Sequence, residues 1–354
     1  MSGEHKLKEK KVVPVGAGPH RHIGYAGWLD RVWVLNGGET TITVLDGTSG
    51  DVLGQIDVHG RPQHVVLDAA SGVGYVPLAE DALAIMDVKN GEITEEIALP
   101  EGTGPNCLLP MLGNHRLYIV SEKLPAMTVI DTAERKIVGS IPVGLGARWG
   151  QPHGKTCGKL YIAGSESNDV TIIDEKTEKV ITTVSTGEQP SRAAIFREQG
   201  KVFTADWASH TVTAIGIDDD TVRASVPAGK NPARLVGMQK KTGRPELWVL
   251  NRGTDEQSHG TISVIDAGRD LALEPIQTID SPTNWLLNGP IAHVVSAAGK
   301  EMMVLDSRST EVLDVLELSE APDTASFSNM VFSNNGNLFV VNEGGTTTLL
   351  TPSN

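Results

Sequence analysis

A short apolar segment that ends in Asp recurs along the chain. Six copies keep the Asp: Ile42–Asp46, Ala84–Asp87, Thr128–Asp131, Thr171–Asp174, Ser263–Asp266 and Met303–Asp306. A degenerate copy spans 213–218 and a last copy spans 347–350. Self-similarity at a spacing of roughly 40 residues is the mark of a repeat architecture. The repeated Asp is predicted to cap the hairpin that follows it by accepting backbone N–H groups.

Each copy has the same neighbours. A short strand with large apolar residues precedes it, such as Leu160–Ile162, and an alternating strand follows it, such as Lys179–Thr186. A Gly-x-x-Pro turn, such as Gly187–Pro190, then opens the next unit. Four short strands per unit, separated by turns, are typical of a propeller rather than a sandwich. The predicted fold class is all-β, an eight-bladed β-propeller, with seven blades as the alternative if 281–354 folds irregularly.

The eighth unit has only three strands of its own. Its missing outer strand is available at the other end of the chain, in Lys11–Val15. We therefore predict that the N-terminal strand closes the last blade and removes an open sheet edge. The whole chain, 1–354, is predicted to be one β-propeller domain with residues 1–10 as a flexible tail.

The repeat resembles the YVTN-type family of β-propellers over essentially the whole chain. The resemblance is carried by segments such as Leu160-Tyr161-Ile162, followed by Val170–Asp174 and then Lys179-Val180. It implies a propeller scaffold. That family includes binding proteins, lyases, lactonase-like enzymes and tetrapyrrole-binding modules, so function has to be argued from the site.

One repeated place, two residues after the turn proline in six blades and aligned without a proline in the fourth and eighth, is predicted to lie near the mouth of the central channel. It is occupied by Arg21, His64, Cys107, Trp149, Arg192, Arg234, Asn284 and Ser328. A purely structural position would keep one residue type, whereas this one varies from blade to blade. The loops between second and third strands add further polar and aromatic residues, namely Asn36, Glu80, Glu122, Glu166, Asp206, Trp207, His210, Asn251, Arg252, His259, Asn342 and Glu343.

Three of these residues, Arg21, Arg192 and Arg234, are predicted to bind an anion, because guanidinium forks suit carboxylate or phosphate. The predicted ligand-binding set is completed by Trp149, Asp206, Asn251, Asn284 and Trp285. The alternative is that each arginine pairs with Glu80, Glu122 or Asp206 and only fills the channel.

Histidines give a second hypothesis. His20 and His22 face the same way on an extended strand, and His64 is available one blade on, so the three are a candidate site for a divalent metal ion. The alternative is that they are turn and packing residues. His64 is also the candidate general acid or base, and the chemistry would be elimination or hydrolysis, so an enzyme would be a lyase or hydrolase. Cys107 and Cys157 are expected at opposite ends of their blades, as free thiols.

Three functions follow from these residues. The first is binding of a small anionic or polar molecule at the channel mouth, with catalysis of its elimination or hydrolysis as an extension. The second is a non-catalytic protein-interaction scaffold that uses the long loop 250–261. The third is a tetrapyrrole-binding propeller.

Composition narrows the partners and the compartment. The net charge of −14 and the pI near 5.2 argue against nucleic acid and anionic membranes as partners. No apolar run is long enough to span a bilayer. The Lys-rich N-terminus lacks a signal-peptide core, which predicts a cytoplasmic protein as written, or a periplasmic or secreted one if a signal peptide was removed. We expect a monomer.

Overall fold

The strands of the protein form eight antiparallel sheets, which we call blades. The computed structural model describes residues 6–18, 20–152, 158–239, 243–253, 259–324 and 328–353. The prediction of an all-β, eight-bladed β-propeller is confirmed. The chain divides into two compact units, Met1–Pro100 with Thr283–Asn354, and Glu101–Pro282. Among the residues described, no helix has the length and apolar composition needed to cross a lipid bilayer.

The first unit contains blades one, two, seven and eight. The strands of blades one and two are β1 (Leu7–Pro14, which joins blade eight), β2 (His20–Ala26), β3 (Arg31–Asn36), β4 (Thr41–Asp46), β5 (Val52–Asp57), β6 (Val66–Asp68), β7 (Val73–Leu78), β8 (Ala82–Asp87) and β9 (Glu92–Ala98).

The second unit contains blades three to six. Its strands are β10 (Pro105–Met111), β11 (Arg116–Ser121), β12 (Ala126–Asp131), β13 (Lys136–Pro142), β14 (Ala147–Pro152), β15 (Lys159–Gly164), β16 (Asp169–Asp174), β17 (Lys179–Ser185), β18 (Pro190–Phe196), β19 (Lys201–Asp206), β20 (Thr211–Gly216), β21 (Val222–Pro227), β22 (Pro232–Gln239), β23 (Pro245–Asn251), β24 (His259–Asp266), β25 (Leu271–Ala272) and β26 (Ile276–Asp280). Two one-turn 3₁₀ helices, Leu112–Asn114 and Arg197–Gln199, follow the first strands of blades three and five.

Blades seven and eight return to the first unit. Their strands are β27 (Pro282–Asn288), β28 (Ile291–Ser296), β29 (Glu301–Asp306), β30 (Val312–Glu317), β31 (Met330–Phe332), β32 (Leu338–Val341) and β33 (Thr346–Pro352). Blade eight has the strand order β1-β33-β32-β31.

The N-terminal strand closes blade eight, as predicted. It pairs with β33 from Leu7 opposite Pro352 to Pro14 opposite Thr346. The strand begins at Leu7 rather than at Lys11, so residues 7–10 belong to the blade and not to a flexible tail. The reason is apolar burial, because Leu7 packs in the same cluster as Leu350.

The core lies along the second and third strands, which are buried almost throughout, whereas the fourth strands are largely exposed. In six blades the fourth strand has a β-bulge at its second or third residue. Four of the bulged residues are exposed apolar side chains, Leu53, Val138, Ile181 and Leu313. A bulge twists an edge strand and hinders its pairing with another chain. These bulges therefore oppose edge-to-edge association of the exposed fourth strands.

The repeated Asp caps its hairpin, as predicted. Oδ1 of Asp46 accepts the backbone N–H groups of Thr48 and Ser49 at 3.0 and 2.7 Å. The same geometry recurs at Asp87, Asp131, Asp266 and Asp306.

A side chain at the start of the second strand joins several blades to the next blade. In the second unit these interblade latches are Arg116 with Glu178 at 3.0 Å, Lys159 with Asp220 at 2.7 Å and Lys201 with Asp270 at 2.6 Å. In the first unit Arg31 donates to the carbonyl of Lys89 at 3.1 Å. Each acceptor lies in the hairpin between the third and fourth strands of the following blade.

Candidate functional site

Two sets of loops meet at one end of each blade, as the repeat predicts. The backbone N–H after the second strand donates to the turn that leads into the first strand. Trp207 donates to Gln189 at 3.0 Å and Arg252 donates to Asn231 at 3.1 Å. The first residues of the first strand and the loop after the second strand are therefore neighbours within a blade.

A β-bulge precedes the repeated variable place in all four blades of the second unit. The register shifts between Pro105 and Cys107, Ala147 and Trp149, Pro190 and Arg192, and Pro232 and Arg234. The second residue of each pair then lies opposite the penultimate residue of the second strand. The bulge therefore gives these four unlike residues the same register position in their blades.

Three arginines of the second unit form a group whose charges interact, and we call Arg192, Arg234 and Arg252 the arginine cluster. Burial lowers the pKa of Arg192 to about 10; Cys107 opposes this shift and Arg252 adds to it. Burial lowers the pKa of Arg234 well below its usual value, and repulsion from Arg192 and Arg252 lowers it further. Burial also lowers the pKa of Arg252.

The arginine cluster keeps its charge in spite of these shifts, because a guanidinium stays protonated at neutral pH. All three side chains retain partial exposure to solvent, although protein surrounds them closely enough to desolvate them. The protein thus holds three like charges together at a free-energy cost. An arriving anion would reduce that cost.

Arg252 has a second neighbour, Trp207. The guanidinium carbon of Arg252 lies 5.9 Å from the centroid of the Trp207 ring, within the range of a cation–π interaction. The sequence placed both residues in the loops but did not assign Arg252 to the ligand-binding set. Its position directly after Asn251, at the end of a second strand, is the signal that would have found it.

Cys107 is a buried free thiol. Burial raises its pKa to about 12, although Arg192 and the carbonyl of Leu108 oppose that shift. A thiol with this pKa is neutral at physiological pH and is a poor nucleophile. Cys157 lies outside the described residues.

The three carboxylates named as alternative partners of the arginines, Glu80, Glu122 and Asp206, make contacts of their own. Oε1 of Glu80 lies 2.7 Å from Nε of Arg61. Oε1 of Glu122 lies 3.0 Å from a terminal nitrogen of Arg148. Asp206 is surrounded by hydroxyl groups of its own blade. The alternative, in which each arginine pairs with one of these carboxylates, is not tested by these contacts and stays open.

Asp206 and Asn251, two residues of the predicted ligand-binding set, make hydrogen bonds within their own blades; their contact with a ligand stays a prediction. The carboxylate of Asp206 accepts hydroxyl hydrogen bonds from Thr204, Thr211 and Thr213 at 2.7, 3.2 and 2.6 Å. Burial raises its pKa while these donors oppose the shift. Nδ2 of Asn251 lies 3.0 Å from the Thr261 hydroxyl in the equivalent place. Both side chains join the second strand to the third, and we call them pin residues.

The pin residues also explain the glycine of the Gly-x-x-Pro turn. A Cβ atom added to Gly187 would lie 2.7 Å from Oδ2 of Asp206, and one added to Gly229 would lie 2.5 Å from Nδ2 of Asn251. Any larger residue would displace the pin residue, so the glycine is required by space.

Asn284 and Trp285, in the first unit, are also structural. Nδ2 of Asn284 donates to Oδ1 of Asn329 at 2.8 Å, and Oδ1 of Asn284 accepts the backbone N–H of Trp285. The Trp285 side chain is buried. These contacts give both residues a structural role, and the prediction that they touch a ligand stays a prediction.

The histidine hypothesis is tested only in part. The rings of His22 and His64 are adjacent, with centroids 4.3 Å apart and planes inclined by 49°. The side chains of His20, Arg21 and Trp149 lie outside the described part of the chain. Among the side chains that are described, no group of three His, Cys, Asp or Glu residues could hold a metal ion. The metal site and the catalytic role of His64 stay predictions.

Solved structures share this fold. The dihydro-heme d1 dehydrogenase NirN in complex with DHE matches with a TM-score of 0.69 and 15% identity, over 97% of this chain and 79% of that one. BamB from Moraxella catarrhalis matches with a TM-score of 0.71 and 12% identity, over 98% of this chain and 100% of that one. No protein-family model and no curated protein matches the chain. At these identities the likeness concerns the fold alone: the chain is an eight-bladed β-propeller.

Proposed function

We propose that the second unit binds a small anion through the arginine cluster. The observation that carries this proposal is that Arg192, Arg234 and Arg252, all partly buried, lie near enough for their charges to interact. An anion bound among them would gain attraction from all three guanidinium groups. The planar forks of guanidinium groups suit carboxylate, phosphate or sulfate oxygens.

The way in which the cluster is built supports the proposal. Arg192 and Arg234 follow equivalent bulges in β18 and β22, two first strands that pack against each other. Arg252 follows the second strand of blade six, and its own backbone N–H is held by the turn before Arg234. The three side chains therefore stand on strand ends rather than on free loops. Sites on rigid elements keep their geometry better than sites on mobile ones.

Anion binding is tested by calorimetry and by thermal shift with sulfate, phosphate and succinate at constant ionic strength. A bound anion at about 100 times its dissociation constant adds about 2.7 kcal/mol to the free energy of unfolding. The test variant is the double substitution Arg192→Met and Arg234→Met, which should abolish the effect. The matched control is Arg223→Met, on the exposed fourth strand of blade five, which should leave it intact. Equal affinity of the double variant and the wild type would overturn the proposal.

A tetrapyrrole is the second candidate ligand. It is favoured by one comparison, because NirN has this fold and is seen in complex with DHE. Tetrapyrroles with peripheral carboxylates would offer the arginine cluster the same acceptor groups as a small dicarboxylate. The two candidates are separated by titration with haemin, followed by visible absorbance. A saturable spectral shift that Arg234→Met removes would favour the tetrapyrrole, and an unchanged spectrum would exclude haemin as a ligand.

A further inference from the structure

The turn that opens blade six is held by a histidine of blade five. The backbone N–H of Asn231, in the turn before β22, donates to Nδ1 of His210 at 3.2 Å. His210 lies in the loop between the second and third strands of blade five, and its own carbonyl accepts the backbone N–H of Ala228 at 2.9 Å. The backbone of His210 is therefore fixed to blade five while its ring is bonded to blade six. We call this contact the histidine junction.

The same contact is made one blade earlier by an asparagine. Oδ1 of Asn168, in the loop between the second and third strands of blade four, accepts the backbone N–H of Gln189 at 2.8 Å. Gln189 directly precedes β18, as Asn231 directly precedes β22. The two acceptor residues share a left-handed backbone, with φ of 57° at Asn168 and 58° at His210. The repeat thus places an amide oxygen and an imidazole nitrogen in equivalent positions.

These two acceptors differ in their response to acid. A ring nitrogen that accepts a hydrogen bond carries no proton, so the ring of His210 is neutral in this geometry and has its proton on Nε2. An imidazole that gains a second proton is a donor at both nitrogens and can no longer accept the N–H of Asn231. The amide oxygen of Asn168 keeps its role as an acceptor through the same pH range.

Charged groups surround the histidine junction without pairing with its ring. Among the residues that the structure describes, His210 forms no ion pair. The charged residues on its own loop and on the segments next to it are Asp206, Glu188, Lys230, Arg234 and Arg252. The carboxylate of Asp206 accepts hydrogen bonds from threonine hydroxyls of its own blade. A protonated ring would therefore meet the N–H of Asn231 donor to donor, with no bound carboxylate to hold the ring in place.

The residue that the histidine junction holds also supports the candidate site. The carbonyl of Asn231 accepts the backbone N–H of Arg252 at 3.1 Å, and Nδ2 of Asn231 donates to the carbonyl of Gly253 at 2.7 Å. Asn231 also lies three residues before Arg234 in the chain. Loss of the hydrogen bond to His210 would therefore loosen the backbone from which both arginine side chains start.

We infer that His210 is a pH-sensitive switch, which fastens the turn of blade six when its ring is neutral and releases that turn when its ring is protonated. The switch should operate between about pH 8 and pH 5, the range in which histidine side chains change their charge. The inference goes beyond the proposed function, because it concerns the backbone and needs no ligand. A change of anion affinity over the same pH range would be a consequence, and that consequence rests on the proposed function.

The test is amide hydrogen exchange, followed by NMR on isotope-labelled protein without ligand. The exchange rate of the Asn231 amide, corrected for the intrinsic effect of pH on exchange, is measured at about pH 7.5 and about pH 5.5, on either side of the titration of an ordinary imidazole. The Gln189 amide in the same spectra is the internal control. Two matched variants exchange the acceptors, since His210→Asn copies blade four and Asn168→His copies blade five.

In the wild type, the protection of the Asn231 amide should fall by about 2- to 10-fold at the lower pH, the loss that one ordinary hydrogen bond gives. The protection of the Gln189 amide should stay constant. In His210→Asn the protection of the Asn231 amide should no longer depend on pH. Asn168→His should transfer the pH dependence to the Gln189 amide.

Equal protection of the Asn231 amide at both pH values in the wild type would overturn the inference. A pH dependence that persists in His210→Asn would overturn it too, because another group would then be the source. If His210→Asn does not fold, the nitrogen chemical shifts of the His210 ring in the wild type decide: Nδ1 must be without a proton at the higher pH and protonated at the lower one. Failure of anion binding would contradict the proposed function alone, since the exchange is measured without an anion.

Discussion

Lys159 and Asp220 join two consecutive blades of the second unit, with Nζ of Lys159 at 2.7 and 2.8 Å from the two carboxylate oxygens of Asp220. The ammonium group also donates to the carbonyl of Ile217 at 2.7 Å. Only 18% of the lysine side chain and 11% of the aspartate side chain are exposed. A pair this well enclosed loses much more when one partner is removed than an exposed pair does.

Lys159→Met should therefore lower the free energy of unfolding by about 3 kcal/mol, because it leaves the carboxylate of Asp220 buried without its cation. Urea unfolding measured by fluorescence gives the change. Adding Asp220→Asn should recover part of the loss, since Asn removes the buried charge and tolerates the left-handed backbone of Asp220, whose φ is 55°.

The matched control is Lys136→Met. Lys136 pairs with Glu134 at 2.5 Å, but 61% and 60% of their side chains are exposed. Exposed pairs contribute little to stability because solvent screens them, so this variant should unfold almost like the wild type. Equal losses in the two lysine variants would show that the latch does not hold the blades together.

Arg234→Met should raise the stability of the ligand-free protein while it removes anion binding. Burial and the charges of Arg192 and Arg252 all disfavour the charged form of Arg234, as its lowered pKa shows. Met removes the charge that burial and two like charges disfavour, so we expect a gain in the free energy of unfolding of about 0.5 to 2 kcal/mol. Such an exchange of function for stability is typical of binding sites.

The measurement is the urea midpoint without ligand and with sulfate. The midpoint of Arg234→Met should exceed that of the wild type without sulfate and should no longer rise when sulfate is added. A variant that is less stable than the wild type without ligand would mean that Arg234 holds the fold rather than a ligand. Arg223→Met again serves as the surface control.

The blades were predictable because their pattern is local. A strand, a glycine turn or a hairpin capped by Asp can each be recognised from a few neighbouring residues. Because the unit occurs eight times, an irregular copy does not hide the repeat. The splice of β1 into blade eight also followed, since the eighth unit lacked one strand. Its start was misplaced by four residues because Lys8 and Lys10 conceal the burial of Leu7.

The site was less predictable because a polar residue near a strand end can either hydrogen-bond within its own blade or face the candidate site. Asp206 and Asn251 face the hydroxyls of their own third strand, whereas Arg252, one residue further on, belongs to the arginine cluster. The register of the first strand shifts at each bulge, so a period of two cannot tell which side chain points where. The sequence did predict that Arg192 and Arg234 occupy equivalent positions. That prediction counts residues along the chain from the turn proline, and such a count does not depend on the bulge.

Stability should fall as the pH drops below about 4, because of the hairpin aspartates. Hydrogen bonds from backbone N–H groups lower the pKa of Asp46, Asp87 and Asp131. A folded pKa below the unfolded one contributes stability that is complete above the unfolded pKa and is lost as the pH falls through the folded pKa. Urea midpoints at pH 6, 4 and 3 measure the effect.

The control for the hairpins is the triple variant with Asn at Asp46, Asp87 and Asp131. Asn keeps an acceptor oxygen for the N–H groups but does not titrate in this range. The variant should lose less stability than the wild type between pH 4 and pH 3. If both lose the same amount, the acid sensitivity comes from other carboxylates.

Deleting residues 1–14 should convert the protein into an aggregating species, because it removes β1 from blade eight. The edge of β33 would then be unpaired, and the apolar residues that Leu7 and Val13 cover would face water. Covering an apolar side chain of this size contributes about 1.5 to 3 kcal/mol each, and an exposed, unpaired edge templates association. Size-exclusion chromatography with light scattering measures the species formed.

Deleting residues 1–5 is the matched control, because it stops short of Lys6, whose carbonyl accepts the backbone N–H of Ser353 at 2.7 Å. It should leave the unfolding midpoint unchanged. A synthetic peptide of residues 6–15 added to the longer deletion should restore the monomer, since it can pair with the free edge as a donated strand. If the 1–14 deletion stays monomeric and as stable as the wild type, β1 contributes neither to the stability of blade eight nor to the protection of its edge. If the peptide restores the monomer, pairing of β1 with β33 is what completes blade eight.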